Sequence, residues 1–238
     1  MTIRVSDREA SQRFYLTVLP VLGIEQDYSG DDYAEWDDFS LGAAEGESPP
    51  TRHLHVGFVA PSREHVDRFW QAGVDAGYES DGEPGPRPQY SEDYYGSFLL
   101  DPDGNSVEAV HHGSLRDGGN VDHLWIRVSD LEAATRFYEN VGPAAGFRAG
   151  KELDGRTQFA CMSGSFSVVA GSPVTENVHL AFAAADDETV DRFHAEATAA
   201  GYRSNGAPGE RPQYHEGYYA AFVLDPDGNN VEVVNHNR

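Results

Sequence analysis

RPQYSEDYYGSFLLDPDGNSVEAVHH, from Arg87 to His112, returns as RPQYHEGYYAAFVLDPDGNNVEVVNH from Arg211 to His236. Each copy predicts a β-hairpin. An aromatic strand (Tyr94, Tyr95, Phe98; then Tyr218, Tyr219, Phe222) runs into Asp-Pro-Asp-Gly. There Pro suits the first central position of a type I turn, and Gly takes the left-handed position that follows. The return strand carries one carboxylate among valines, Glu108 or Glu232. An acid in such a strand either faces water or is held inside for a purpose.

The repeat extends outward from the hairpin. Thr51–His112 aligns with Thr175–His236 without a gap, and about half of the aligned positions are identical. Upstream, TIRVSDREASQRFY from Thr2 matches LWIRVSDLEAATRFY from Leu124. The chain therefore reads as two homologous halves, 1–113 and 121–238, joined by the Gly-rich segment Gly113–Asn120.

Each half divides again. Ile3–Ser6 predicts a short strand, and Ser6-Asp7-Arg8-Glu9 a capping box opening a helix with Phe14, Tyr15, Val18 and Leu19 inward. Ser129-Asp130-Leu131-Glu132 repeats it ahead of Phe137 and Tyr138. Tyr33–Leu41, Gln158–Cys161 and Ser165–Ala170 are strand candidates. The cycle restarts with strands His53–Val59 and Asn177–Ala183 and helices Glu64–Gly77 and Glu188–Gly201, each helix ending at Gly. The expected fold is α+β: four βαβββ modules forming two paired, curved mixed β-sheet domains, each sheet backed by helices on one face. Facing sheets of this kind leave a cup for a small ligand.

Composition narrows the function classes. The 238 residues include 17 basic against 40 acidic ones, a formal net charge of -23. Such a surface repels phosphate backbones and anionic lipid, so neither nucleic acid nor a membrane is an expected partner. The scattered acids suit solubility or salt adaptation better than a functional patch. Cys161 is the only cysteine, which excludes a disulfide framework and a thiolate cluster. The N-terminus shows no apolar targeting region, and the expectation is a cytoplasmic protein, a monomer (pseudo-dimer) or homodimer, with a small-molecule substrate.

The metal-competent side chains sit at equivalent places in the strands. His123 opens the third module, His179 lies in the first strand of the fourth, and Glu232 in its last. His55 and Glu108 are the counterparts of His179 and Glu232. Two imidazoles and a carboxylate on one face of a metal leave positions open for substrate or O₂, and Fe, Mn, Ni, Co or Zn all accept such ligands. Aligning the two VSD segments puts the counterpart of His123 immediately before Met1. The expectation drawn from this is a start site assigned too late, with Met at a GTG codon and His just upstream. His215 and Tyr218 are the candidate acid/base residues of the second half; Ser91 stands at the place of His215 in the first.

Paired βαβββ modules, a His on leading strands and F-x-x-DPDGN-x-x-E resemble the vicinal oxygen chelate superfamily, the glyoxalase, bleomycin-resistance and extradiol-dioxygenase group. The chain resembles a tandem fusion of two members. The resemblance implies a divalent metal held by His123, His179 and Glu232 and chelation of vicinal substrate oxygens. It also allows a swapped pairing, His123 with His55 and Glu108; three ligands within one repeat favour the first arrangement. Glyoxalase I usually has a fourth, acidic ligand on the strand that here reads Ser165–Ala170, which carries none. Extradiol enzymes usually carry Tyr where Phe222 stands. The implied function is metal-dependent dioxygenase, lyase or transferase chemistry on a small vicinal-oxygen compound. The alternative is a metal-free protein sequestering an antibiotic or metabolite between aromatic walls, with Tyr90, Tyr94, Tyr95, Tyr214, Tyr218 and Tyr219 as stacking surface.

Overall fold

The computed structural model describes residues 1–46, 48–114, 118–161 and 164–237. Part of the Gly113–Asn120 linker, residues 115–117, lies outside them. The fold is α+β, and four βαβββ modules follow one another. They are β1 (Thr2–Val5), α1 (Arg8–Val18), β2 (Tyr28–Ser29), β3 (Tyr33–Trp36) and β4 (Phe39–Ala43); β5 (His55–Val59), α2 (Arg63–Asp75), β6 (Ser80–Pro86), β7 (Tyr95–Leu100) and β8 (Ser106–His111); β9 (Val121–Val128), α3 (Leu131–Ala145), β10 (Arg148–Leu153), β11 (Arg156–Ala160) and β12 (Ser165–Ala170); and β13 (His179–Ala183), α4 (Asp187–Ala199), β14 (Ser204–Glu210), β15 (Tyr219–Leu224) and β16 (Asn230–Asn235).

The sheets are mixed. The first strand of a module lies parallel to its last, as in β1 with β4, β5 with β8 and β13 with β16, while the hairpins are antiparallel. This is the pairing a crossover helix imposes. The chain divides into two compact units, one built mainly on Thr2–Trp125 and the other on Ile126–Met162 and Phe166–Arg238. In the first unit β9 contributes its opening residues beside β5, giving the strand order β9-β5-β8-β7-β6. In the second, the order β14-β15-β16-β13 repeats the arrangement of the second module.

The core of the first unit includes Phe14, Tyr15, Trp36, Phe39, Phe58 and Phe69, all fully buried. Phe137, Tyr138, Phe159 and Phe193 do the same in the second. The expected helices form, but Asp7 and Asp130 are the caps, their carboxylates accepting from Ala10 N and Ala133 N at 2.9 Å. Ser6 is drawn off instead: its N–H and Oγ both donate to the Asp103 carboxylate, at 2.8 and 2.6 Å. The single strand expected over Tyr33–Leu41 is broken into β3 and β4. Asp37 turns at φ 55°, a conformation Asp tolerates, and its N–H is caught by Asp27 Oδ2 at 2.7 Å.

The Asp-Pro-Asp-Gly turns are pinned from below. Asp101 accepts from Asp103 N, Asn105 N and the Tyr15 hydroxyl, the last at 3.1 Å from helix α1. Asp225 does the same with Asp227, Asn229 and Tyr138. Gly104 and Gly228 take φ of 81° and 92°, the left-handed position expected of them.

Candidate metal centre

The candidate site is written in the register of the strands. Along β5, His55 and Gly57 point to one face, because side chains alternate. Across the parallel ladder they meet Ser106 and Glu108 of β8; across the antiparallel ladder they meet Trp125 and His123 of β9. Phe98 of β7 lies opposite Glu108. One row therefore reads Phe98, Glu108, Gly57, His123. Gly57 is what lets the imidazole lie down over the sheet: a Cβ there would stand 2.7 Å from His123 Nδ1.

This register converges three ligand groups. His55 Nε2 lies 3.0 Å from Glu108 Oε2 and 3.2 Å from His123 Nε2, and His123 Nε2 lies 3.3 Å from the same carboxylate oxygen. Their ligand atoms all fall within 4.8 Å of one another. Glu108 is 1 % exposed, an acid that a Val-rich strand does not bury without partners.

Both imidazoles are held from behind. His123 Nδ1–H donates to Asp122 Oδ2 at 2.8 Å, and His112 Nε2 reaches that oxygen at 3.4 Å. His55 Nδ1 meets Ser106 Oγ at 3.2 Å, and Ser106 donates in turn to Asp81 Oδ2 at 2.7 Å. Anchoring Nδ1 in this way turns Nε2 inward, which is how metal-binding histidines are oriented. Tyr94 donates to the second oxygen of Glu108 at 2.9 Å. Its neighbour Tyr95 points the other way and donates to Asp67 of α2.

The electrostatics follow from this crowding. Burial disfavours the Glu108 anion, but the hydrogen bonds and positive charge of His123 and His55 outweigh it and hold its carboxyl at about 2. Burial likewise works against a charged His123, yet Asp122 and Glu108 raise it to about 9. Asp122 is buried too, and His112 and His123 bring it well below the usual carboxylate range. Burial and the adjacent Glu108 push the Tyr94 phenol far up, so it stays a donor. At neutral pH a proton thus sits among the ligands where a cation would go. The donor set, two imidazoles and one carboxylate with the tautomers fixed, fits a divalent metal.

Beside the triad lies a cavity of about 200 Å³, lined also by Tyr90, Tyr94, Phe98, Trp125, Asp81 and Ser106. Trp125 stands edge-on to Tyr90 with centroids 5.5 Å apart.

The other sequence-predicted residues lie in the second unit. His179 Nε2 is 2.7 Å from Glu232 Oε2, and Tyr218 donates to Glu232 Oε1 at 2.6 Å. The structure thus gathers His123 with His55 and Glu108, not with His179 and Glu232 as the one-repeat arrangement expected. The reason is β9, which runs antiparallel to β5 and sets His123 across from Gly57. His215 lies against His236, its Nε2 3.0 Å from Nδ1. The first-unit anchors are not repeated: Asn205 and Asn230 stand in place of Asp81 and Ser106 and bond to each other at 2.9 Å. Sequence reading missed Asp122, Asp81, Ser106 and Trp125. An acid immediately before His123 was the available signal for the first of them.

A family model described as Glyoxalase/Bleomycin resistance protein/Dioxygenase superfamily matches residues 1–109 and 120–233. Glyoxalase I from Zea mays is a similar solved structure, with TM-score 0.70 and 18% identity over 99% of this chain and 91% of that one. A putative dioxygenase from Bacillus subtilis subsp. subtilis str. 168 has TM-score 0.67 and 12% identity, over 100% of this chain and 84% of that one. At such identities the likeness is one of fold. No curated protein matches the chain.

Proposed function

The chain belongs to the glyoxalase/bleomycin resistance protein/dioxygenase superfamily, and from that premise we propose a divalent-metal enzyme acting on a small vicinal-oxygen substrate at His55, Glu108 and His123. The observation that carries this reading is the anchoring of both imidazoles: Asp122 behind His123, and Asp81 through Ser106 behind His55. A merely structural histidine pair has no need of two carboxylates fixing its tautomers.

His55 Nε2, His123 Nε2 and Glu108 Oε2 would hold the cation. A divalent ion there supplies Lewis acidity to a substrate oxygen. The rest falls to the chain. Trp125, Tyr90 and Phe98 offer flat apolar faces for a planar or compact substrate and keep water from its reacting oxygens. Tyr94 holds one oxygen of Glu108, leaving the other for the ligand set. The reaction class is dioxygenase, lyase or transferase, and the cation Fe, Mn, Ni, Co or Zn.

Elemental analysis of the purified protein tests the reading. We expect about one metal tied to this site, lost with His55→Ala and with Glu108→Gln and kept with His179→Ala. Retention in both first-unit variants would remove the proposal. The cavity's aromatic walls favour one other reading, a metal-free protein that sequesters a flat small molecule. That reading requires ligand affinity unchanged by chelators. Among the described residues no helix is long and apolar enough to cross a membrane.

A further inference from the structure

The second unit carries a pair of histidines that the first does not. His215 Nε2 faces His236 Nδ1 at 3.0 Å, with ring centroids 5.3 Å apart and planes within 19°. The two imidazoles of the triad face each other in nearly the same way, Nε2 to Nε2 at 3.2 Å with centroids also 5.3 Å apart. Two nitrogens bound side by side to one cation at roughly 2.0–2.1 Å stand about 3 Å or a little more apart. His215 is also anchored from behind: its Nδ1–H donates to the Glu216 carbonyl at 2.8 Å, leaving Nε2 as the lone-pair nitrogen directed at His236.

A concerted set of differences from the first unit builds this pair. Ser91 stands where His215 does, Asp93 where Gly217 does, and Gly113 where Asn237 does. In the first unit Asp93 Oδ2 captures Gly113 N at 2.6 Å, and His112 turns to Asp122. In the second, Gly217 adopts φ 81° and its carbonyl accepts from Asn237 Nδ2 at 2.9 Å. Asn235 and Asn237 both reach Asp187 Oδ1, at 2.8 and 3.1 Å. Asn237 thereby fastens the segment to the loop that carries His215, and both asparagines fasten it to the start of α4. Holding two imidazoles in register before a ligand arrives lowers the ordering cost of binding.

We propose that His215 and His236 form a second metal site, separate from the triad, for an imidazole-seeking divalent cation: Zn(II), Ni(II) or Cu(II). The two imidazoles supply two positions and water the remainder, so the site is a clip on the fold. It lies beside Tyr218, whose ring packs edge-on to His236 at 5.2 Å and whose hydroxyl donates to Glu232.

The test is a calorimetric titration of the tag-free protein with Zn(II), paired with thermal unfolding. Wild type is expected to take up two equivalents, His55→Ala one, His215→Ser one, and the double variant none. His215→Ser installs the residue that the first unit carries at this place, so folding is preserved, and His236→Asn must reproduce its loss. Zn(II) should raise the melting temperature of His55→Ala but not of the double variant. A single equivalent lost with His215→Ser would support the clip alone. Uptake equal in wild type and His215→Ser overturns the proposal, whether that uptake is one equivalent or two.

Discussion

Asp122 Oδ2 stands 2.8 Å from Nδ1 of His123, and this one bond fixes which nitrogen of the ring is free to meet a cation. Asp122→Asn keeps the shape and removes the charge. We expect metal affinity at the triad to fall by about 10–100-fold, as for other residues that orient a ligand. Competition with a calibrated chelator reads this directly. Unchanged affinity would mean that the strand alone positions the ring.

The metal-free triad should respond to pH on both sides of neutrality. His123 is raised from 6.5 to about 9, so its contribution to stability is full below 6.5 and is lost as pH rises through about 9. Glu108 is lowered from 4.5 to about 2, so its contribution is present above 4.5 and lost as pH falls through about 2. Denaturant unfolding in the presence of a chelator should show declining stability between neutral pH and pH 9. A bound cation replaces the proton and should flatten that decline.

The same proton predicts a calorimetric signature. At pH 7 His123 is charged in the metal-free protein, so metal uptake at the triad must release close to one proton. Titrations of His215→Ser in buffers of different ionisation enthalpy should differ accordingly. Heats independent of the buffer would contradict the assigned charge state.

Gly57 offers a steric test. An added Cβ meets the His123 ring, so Gly57→Ala should push the imidazole aside, cost about 1–3 kcal/mol and abolish uptake at the triad. Ala181, the counterpart of Gly57, lies beside Glu232 on the paired strand, so alanine itself suits this place in the ladder. Chemical unfolding with metal analysis separates the two effects. Full metal content in Gly57→Ala would show that His123 need not lie where it does.

The four modules and the Asp-Pro-Asp-Gly turns could be read from the sequence because they rest on local signals: a repeat, caps, and a turn that demands Gly104 and Gly228 in the left-handed region. Four of the five ligand candidates were legible for the same reason, as strand positions repeated between halves (His55 with His179, Glu108 with Glu232); His123 stood out as a His opening its module. Which of them meet was not. Period-two alternation puts His55 and Gly57 on one face of β5, but says neither how β8 is registered against it nor which strand lies on its far side. The signal available was Gly57 itself, which stands where the other half has Ala181 and leaves room for the His123 ring. Asp81 and Ser106 were hidden for a different reason: a hydrogen-bonded relay between residues 25 apart leaves no spacing signature.

One consequence concerns heredity. The residues that complete the triad and wall its cavity, His123 and Trp125, lie beyond the linker, at the opening of the second copy of the repeat. A gene split at that linker would give two products, and the one bearing His55 and Glu108 would lack its third ligand. The two copies of the repeat are therefore not interchangeable, since a second copy without a His at the place of His123 would leave His55 and Glu108 a pair.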